Sequence, residues 1–543
     1  MTSKPHNPAQ YVRIGTRYRP NRLPDESWDT IVIGSGTGGL VAATLLAEQG
    51  QKVLVLEQHY TAGGFTHSYY NEGYEWDVGV HYIGDMGHPR TTLRRIFDRV
   101  SREQLKWAPM DPAYDRIVLG DKAYDLVAGE EAFRENLLRH FPGEAAAIDD
   151  YLQRIRRVKK AMPGFVMPRL LPEIVGTITS PLLRFKRPAD FNRVTADVMA
   201  DCVRNPELRA VLTGQWGDYG LPPAQSSFMI HSLVATHYLR GGYYPVGGSS
   251  RIAATIVDTL RQYGGDVLTY ADVARVLVEN GRAVGVRMQD GTEIRARNVI
   301  SNAGVMTTWH HLLDQDSRRT LGWDRHFRKV KPSMGHLGLY IGLNRTAEEL
   351  GLPKTNYWVY PGPDHDGNVS RFVQRQTDAL PVVYISFPSA KDPDWNNRFP
   401  GKATIEIVAP THWEDYVKWN GTQWGKRGED YEAFKAEMSE KLLNVLYRHF
   451  PQVREALDYH ELSTPLSTQY FCRYDQGEIY GLDHTPTRFE QDWLRPKTRL
   501  PGLYLTGQDI MTAGVGGAAV AGVVTAAAVL GLKKAAPVLK LLG

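Results

Sequence analysis

Cysteine is nearly missing from the 543 residues: Cys202 and Cys472 are the only two. They lie far apart and make no C-x-x-C pair and no zinc-ligand spacing. A disulfide framework is therefore excluded, no metal site is expected, and the usage suits a reducing compartment. An excess of one charge sign is also missing. The 64 Lys and Arg against 60 Asp and Glu leave a net charge of +4, scattered rather than striped, so no nucleic-acid partner is implied. The first 28 residues lack the apolar core of a secretory signal. With Arg13, Arg17, Arg19 and Arg22, residues 1–27 are expected to form a basic arm packed on the surface. The longest uncharged run, "AGVGGAAVAGVVTAAAVLG" at 513–531, is long enough to be tested as a membrane span. Its Ala and Gly make it only weakly hydrophobic, so a buried helix of small residues against a cofactor is expected instead. Internal repeats and low-complexity linkers are missing too.

What is present begins at residue 29 with "DTIVIGSGTGGLVAATLLAEQGQKVLVLE". Gly34, Gly36 and Gly39 form G-x-G-x-x-G directly after the apolar run Ile31 to Ile33 and before an amphipathic helix expected to end at Gly50. In this pattern the first glycine allows a tight turn and the second lets backbone approach a pyrophosphate. The third lets the helix pack close to the strand, and the helix N-terminus offers N–H groups to the phosphates. Glu57 closes a second strand, Val53 to Leu56, where a carboxylate can bind ribose hydroxyls. No second complete fingerprint is visible, so an NAD(P)H site of this kind is not expected.

The chain changes character several times. Residues 91–165 look helical and charged, and 164–188 mix apolar residues, prolines and cations. Residues 266–304 read as strands broken by the turn signals Asn280-Gly281 and Asp290-Gly291. Residues 331–410 alternate like an antiparallel sheet, with "HLGLYIGLN" and "ATIEIVAP" as clear strands, and helices return at 428–458.

A second glycine pair, Gly63-Gly64, follows Glu57, and "PGLYLTGQDI" (501–510) sets strand, turn and Asp509 ahead of the 513–531 run. This order resembles the flavoprotein superfamily of amine oxidases and phytoene desaturases. "AGGFTHSYYNEGYEWDVGVHYIG" (62–84), "YYPVGGSSRIAATI" (243–256), "STPLSTQYF" (463–471), "GEIYGLDH" (477–484) and "GLYLTGQDIMTAGVGGAAVAG" (502–522) are similar to its retinol saturase and carotenoid isomerase branch. The resemblance is thin between about 91 and 240. It implies an α/β fold: a Rossmann-like FAD-binding domain of the glutathione reductase-2 or amine oxidase-like type, with an inserted α+β substrate domain. The FAD domain would be discontinuous, from 28–90, 241–305 and 495–531. Residues 91–240 and 306–494 would form the substrate and membrane-associated domain, and 532–543 an amphipathic tail. The FAD-binding residues it implies are Gly34, Ser35, Gly36, Gly38, Gly39, Glu57, Gln58, Gly63, Gly64, Phe65, Val273, Asn302, Gly507, Asp509 and Gly516. Asp509 would hydrogen-bond the ribityl chain. A helix starting near Gly514 to Gly517 would aim N–H groups at the flavin edge that gains negative charge on reduction.

The same resemblance implies an FAD-dependent oxidoreductase that saturates or desaturates a C=C bond of a long apolar isoprenoid, polyene or lipid. The alternatives are a redox-neutral double-bond isomerase and, in another class, a prenyl- or lipid-binding protein without chemistry. Intact FAD residues argue against the last, and amine oxidation lacks a recognisable cage. Electrons would come from a diffusible donor or a redox partner. Protonation of the second carbon calls for an acid among His67, Tyr69, Tyr70, His81 and Tyr82, with His81 and Tyr82 first and Tyr480 second-rank. Of these, His81 is the expected donor. Two basic-apolar stretches, 164–188 with Arg169, Arg184, Lys186 and Arg187, and 530–543 with Lys533, Lys534 and Lys540, suit peripheral binding at the inner, cytoplasmic face of a membrane.

Overall fold

Strands Trp28–Ile33 and Val53–Leu56 run side by side and parallel, with Thr30 opposite Val53 and Ile33 opposite Leu56. Both faces of this sheet are covered, which is why its strands are apolar runs rather than alternating ones. The computed structural model describes residues 13–23, 27–171, 176, 187–531 and 533–543. Across the parallel part of the sheet the order is Thr16–Arg17, Asp266–Thr269, Val53–Leu56, Trp28–Ile33 and Glu293–Ser301, and Leu503–Leu505 pairs the last of these. The antiparallel strands Val273–Glu279 and Arg282–Met288 extend it. Their turn is Asn280-Gly281, both at positive φ (49° and 70°), as the tight turn of a two-residue hairpin requires.

Helix Thr37–Glu48 crosses this sheet. Every residue from Thr37 to Ala47 is buried, so the helix has no solvent face and is not amphipathic. It is covered on its far side by helix Gly514–Leu530, where a Cβ on Gly522 would lie 2.7 Å from Gly38 O. Small residues permit that approach, and no helix among the described residues is long and apolar enough to cross a membrane.

A second, seven-stranded sheet runs in the order Leu457–Ser463, Gly335–Leu343, Ala403–Thr411, Val383–Ser386, Asn356–Tyr360, Ala113–Leu119 and Lys122–Val127. Gly335–Leu343 pairs antiparallel with Ala403–Thr411 along its full length. One face packs Leu339, Ile341, Ile405 and Ile407 with Leu442 and Leu446 of helix Glu429–His449 into a separate core. The helical expectation for 91–165 fails at its centre: Trp107–Pro109, Ala113–Leu119 and Lys122–Val127 are strands. Gly120 turns the latter two at φ +62°, and Arg116, Lys122 and Asp125 supply the charge that reads as a helical face. The rest of the segment is helical, at Thr92–Ser101, Glu130–His140, Ala145–Lys160 and Met162–Leu170.

In the described part of the N-terminal arm, Thr16–Arg17 adds an edge strand, Ile14 is buried, and Arg13 and Arg17 lie over the Tyr270 ring. Residues 1–12 and 24–26 lie outside the described residues.

Candidate functional site

The strand ends carrying Gly34, Asn302 and Gly507 meet at one edge of the parallel sheet. Asn302 is the hub, giving its backbone N–H to Ile33 O. Its side-chain Nδ2 lies 3.4 Å from Gly34 O. A Cβ on Gly36 would sit 2.9 Å from this side chain, and one on Gly507 would sit 2.7 Å from it. Gly39 is fixed more tightly still, since a Cβ there would lie 2.3 Å from Gly34 O. Gly34 at φ +92° makes the turn itself. Gly63 and Gly64 also have positive φ, and Gly64 comes against Gly36, so the two glycine segments touch. Gly516 faces Leu93 at a distance that admits no Cβ without movement.

Glu57 is buried at the end of its strand, where its carboxylate accepts Ser35 N–H (2.8 Å), Ser35 Oγ–H (2.6 Å) and His59 N–H (2.8 Å). Gln58 donates to Phe471 O at 2.9 Å. Val273 is buried on the same wall beside Ala271 and Asp272. Asp509 is buried, and its two oxygens accept Val305 N–H (2.7 Å) and Leu482 N–H (2.9 Å). Beneath its turn lies Arg488, 1% exposed, which donates to Leu482 O, Gln508 O and Asp509 O. Phe65 faces Tyr474 with ring centroids 6.4 Å apart. Gln508 Nε2 lies 3.3 Å from the Tyr474 hydroxyl. Asp509 was legible in the sequence; Arg488 and Tyr474 carry no motif and were not.

Apart from Ser35, Gly39 and Arg488, the residues of these turns and strand ends line one cavity of about 1420 Å³, larger than the roughly 300–1,000 Å³ that one small ligand occupies. The turns at Gly34–Gly38 and Gly514–Gly517 both open into it, each at a helix start whose first N–H groups have no intrahelical acceptor. Two helix N-termini and a Cβ-free backbone surface suit a bound dinucleotide. Beyond Phe65 the wall continues through His81, Tyr82, Asp218, Tyr384 and Tyr480. It reaches exposed residues at Met167 and Gly543, past Met162, Val166, Leu539 and Leu542.

The candidate acids are placed differently from one another. His67 is held by Gly64 O at 2.6 Å, and burial lowers its pKa to about 3. Tyr69 donates to Glu461 at 2.7 Å, and Tyr70 lies near Phe399. His81 Nδ1 is 2.7 Å from Glu406 Oε2. Burial, helped by Lys391 and His336, pushes His81 down to about 3 and drives Glu406 well above the usual carboxylate range. Both shifts favour a neutral hydrogen bond between the two over an ion pair, and act against an imidazolium proton on His81. Tyr82 stacks on Tyr238 at 4.1 Å and donates its hydroxyl to Asp115 at 2.8 Å. Tyr480 donates to Gly217 O at 2.9 Å.

The basic-apolar stretches are less uniform than their composition suggests. Arg169 is buried, donates to Phe165 O and lies over the Phe165 ring at 3.7 Å, so its head does not face lipid. Arg187 packs over Phe191 and donates to Gly164 O. Arg184 and Lys186 lie outside the described residues. In the tail Lys533, Lys534 and Lys540 are exposed while Ala535 and Val538 are buried.

A family model described as flavin-containing amine oxidoreductase matches residues 37–530. The human protein named all-trans-retinol 13,14-reductase is 37% identical over 532 residues, covering 94% of this chain and 87% of that protein. The chloroplastic prolycopene isomerase of Daucus carota is 28% identical over 540 residues, covering 94% of this chain and 82% of its own. Among solved structures, cyclohexylamine oxidase from Brevibacterium oxydans matches with a TM-score of 0.56 at 15% identity, covering 95% of this chain and 100% of that one. That last likeness is one of fold.

Proposed function

Because the chain belongs to the flavin-containing amine oxidoreductase family, we propose that it is an enzyme acting on a C=C bond of a long apolar polyene, with a retinoid as the leading substrate class. Its cofactor is FAD. The observation that carries the reading is a single cavity joining the glycine-built dinucleotide cradle to an apolar channel. Relatives named for retinol reduction and prolycopene isomerisation support the polyene.

When bound, FAD supplies hydride to, or removes it from, one carbon of the substrate. The residues we assign to holding it are Gly34, Ser35, Gly36, Gly38 and Gly39 at the pyrophosphate, and Glu57 and Gln58 at the adenosine ribose. Val273 would lie toward the adenine, and Gly63, Gly64, Phe65, Asn302, Gly507, Asp509 and Gly516 would line the ribityl chain and ring. Around the substrate, Tyr82 and Tyr480 order the cavity wall through their hydroxyls, and His81 packs as a neutral ring on Tyr384 at 5.3 Å. A diffusible donor or redox partner returns electrons. The exposed lysines and the Leu539–Leu542 rim suit peripheral contact with the inner face of a membrane, through which an apolar substrate enters.

The test is anaerobic incubation of photoreduced holoenzyme with all-trans-retinol and, separately, with prolycopene, followed by mass spectrometry. Gain of two hydrogens marks a saturase. An unchanged mass with altered retention marks the isomerase, the second reading, favoured by the prolycopene relative. Two unchanged substrates refute both.

A further inference from the structure

The Tyr82 hydroxyl lies beside a second carboxyl group, one that no sequence motif marks. Asp218 lies in the short turn Trp216–Tyr219. That turn needs its glycines: a Cβ on Gly217 would lie 2.3 Å from Trp358, and Gly220, at φ +77°, closes it against Tyr480. The Tyr480 hydroxyl donates to Gly217 O, so the turn is anchored by the segment that also gives Leu482 N–H to Asp509. Asp218 is ringed by protein yet keeps accessible surface, because that surface faces the cavity.

The Tyr82 hydroxyl oxygen lies between two carboxyl groups, 2.8 Å from Asp115 Oδ2 and 3.2 Å from Asp218 Oδ2. A phenol has one proton to give. Asp115 also accepts Gln215 Nε2–H at 2.7 Å and Asn356 Nδ2–H at 2.9 Å, and Asn356 Oδ1 in turn accepts from Lys391 Nζ. Burial raises Asp115 to about 6, but its three donors hold it below Asp218, which has one; Asp115 is therefore the ionised partner and the acceptor of the Tyr82 proton. The remaining contact is a hydrogen bond only if Asp218 carries a proton and donates it to the Tyr82 oxygen. Burial and the Asp115 charge both act in that direction, holding Asp218 well above the usual carboxylate range.

We propose that Asp218 is the catalytic proton donor of the reaction, a role that rests on the C=C reading above. Of the groups around the substrate space, the Tyr82 and Tyr480 phenols are weak acids whose protons go to Asp115 and Gly217 O, whereas Asp218 is a protonated carboxyl, a far stronger acid, that lines the cavity and gives its proton only to the longer 3.2 Å contact with Tyr82. As hydride reaches one alkene carbon, the electron pair of the broken π bond remains on the other. There it takes the Asp218 proton; the O–H bond breaks and a C–H bond forms. Tyr82 then turns its hydroxyl from Asp115 to the new Asp218 carboxylate, while Asp115 keeps Gln215 and Asn356. Asp218 regains a proton from solvent as product leaves, and the two electrons return from the external donor.

The test uses holoenzyme with Asp218→Asn, which keeps shape but has no acidic proton. At neutral pH the infrared difference between parent and variant should show the C=O band of a protonated carboxyl, displaced in D2O. FAD content and flavin spectrum should match the parent. On anaerobic mixing of the photoreduced protein with all-trans-retinol, flavin reoxidation should slow by about 10² to 10⁴-fold, the usual worth of a general acid. Absence of the band, or reoxidation at the parent rate, overturns the proposal. Should the Asn variant lose FAD, Asp218→Glu carries the test: it should keep a protonated-carboxyl band and partial turnover, and turnover without such a band overturns the assignment. If the parent itself leaves both polyenes unchanged, the C=C reading fails and this proposal with it, a result seen before any variant is made.

Discussion

At the residue scale the site is dominated by buried polar groups whose partners are fully specified. Glu57 is one. It accepts three donors, and truncation strands the Ser35 and His59 N–H groups as well as removing the proposed ribose contact. Charge-assisted bonds of this kind are worth about 1.5–3 kcal/mol, so Glu57→Ala should raise the FAD dissociation constant by about tenfold to a hundredfold in a fluorescence titration. Unchanged affinity would remove Glu57 from the ribose site. Lys391 is a second case. It is 1% exposed, donates to His81 O (3.0 Å), Asn356 and Ser386 (2.7 Å), and burial lowers it to about 7 from 10.5. Between those values the unfolded chain binds more protons at this site than the folded one, so its contribution makes stability rise with pH over that window. The cost of burying the charge is therefore full below the folded value and fades above it. Chemical denaturation of the parent should show a gain between about pH 7 and about pH 9, on the order of 2 kcal/mol, that Lys391→Met lacks. Equal slopes for the two proteins would mean that Lys391 stays charged when folded. His81→Gln belongs to the same scale: with a neutral ring bonded to Glu406, its loss should lower turnover far less than Asp218→Asn.

At the element scale the decisive contacts are backbone against backbone. Gly39 brings its helix onto the glycine turn, and Gly522 brings the C-terminal helix onto Gly38 O. Gly522→Val should force these two helices apart. Overpacking of this kind costs about 1–3 kcal/mol, and the variant should show a lowered Tm together with weaker FAD retention, because Gly514–Gly517 at the head of that helix line the cavity. A normal Tm would show that the helix can shift without loss. These elements are also where the sequence is most legible. Gly34, Gly36, Gly39 and Glu57 act over short separations, and the turns at Asn280-Gly281 and Asp290-Gly291 mark the hairpins directly. The 513–531 run becomes a buried helix because Ala and Gly allow close approach. The strands Ala113–Leu119 and Lys122–Val127 were hidden, since their charged residues mimic a helical face and their partner Asn356–Tyr360 lies far along the chain. Asp115, Asp218 and Lys391 were illegible for a related reason. No spacing rule links them: the pairing of Ala113–Leu119 with Asn356–Tyr360, the Trp216–Tyr219 turn and the short helix Pro388–Lys391 after strand Val383–Ser386 bring them around Tyr82.

At the scale of the whole molecule, one cavity joins the glycine turns to the apolar channel, and its rim is built from segments far apart in the chain. Met162 and Val166 come from one short helix, Leu539 and Leu542 from the last residues, and Leu93 and Val515 lie between them on the wall. The single dinucleotide fingerprint sets one expectation: NADPH alone should bleach the flavin slowly, and stopped-flow reduction at the rate of turnover would refute it. The rim sets another. Ala535 and Val538 anchor the tail, Lys533, Lys534 and Lys540 point outward, and Leu539 and Leu542 face the channel. A surface with that order of cationic and apolar groups suits anionic lipid, and a polyene entering directly from the bilayer avoids about 0.8 kcal/mol for each methylene otherwise exposed to water. Replacing both Leu539 and Leu542 by Asp should therefore leave FAD content unchanged but reduce sedimentation with anionic vesicles by on the order of tenfold. Turnover of vesicle-embedded retinol should fall with it, while turnover of detergent-dispersed retinol should fall less. If vesicle binding is unaltered, the tail is not the contact surface. If both substrate forms lose turnover equally, the two leucines shape the channel and not the route into it.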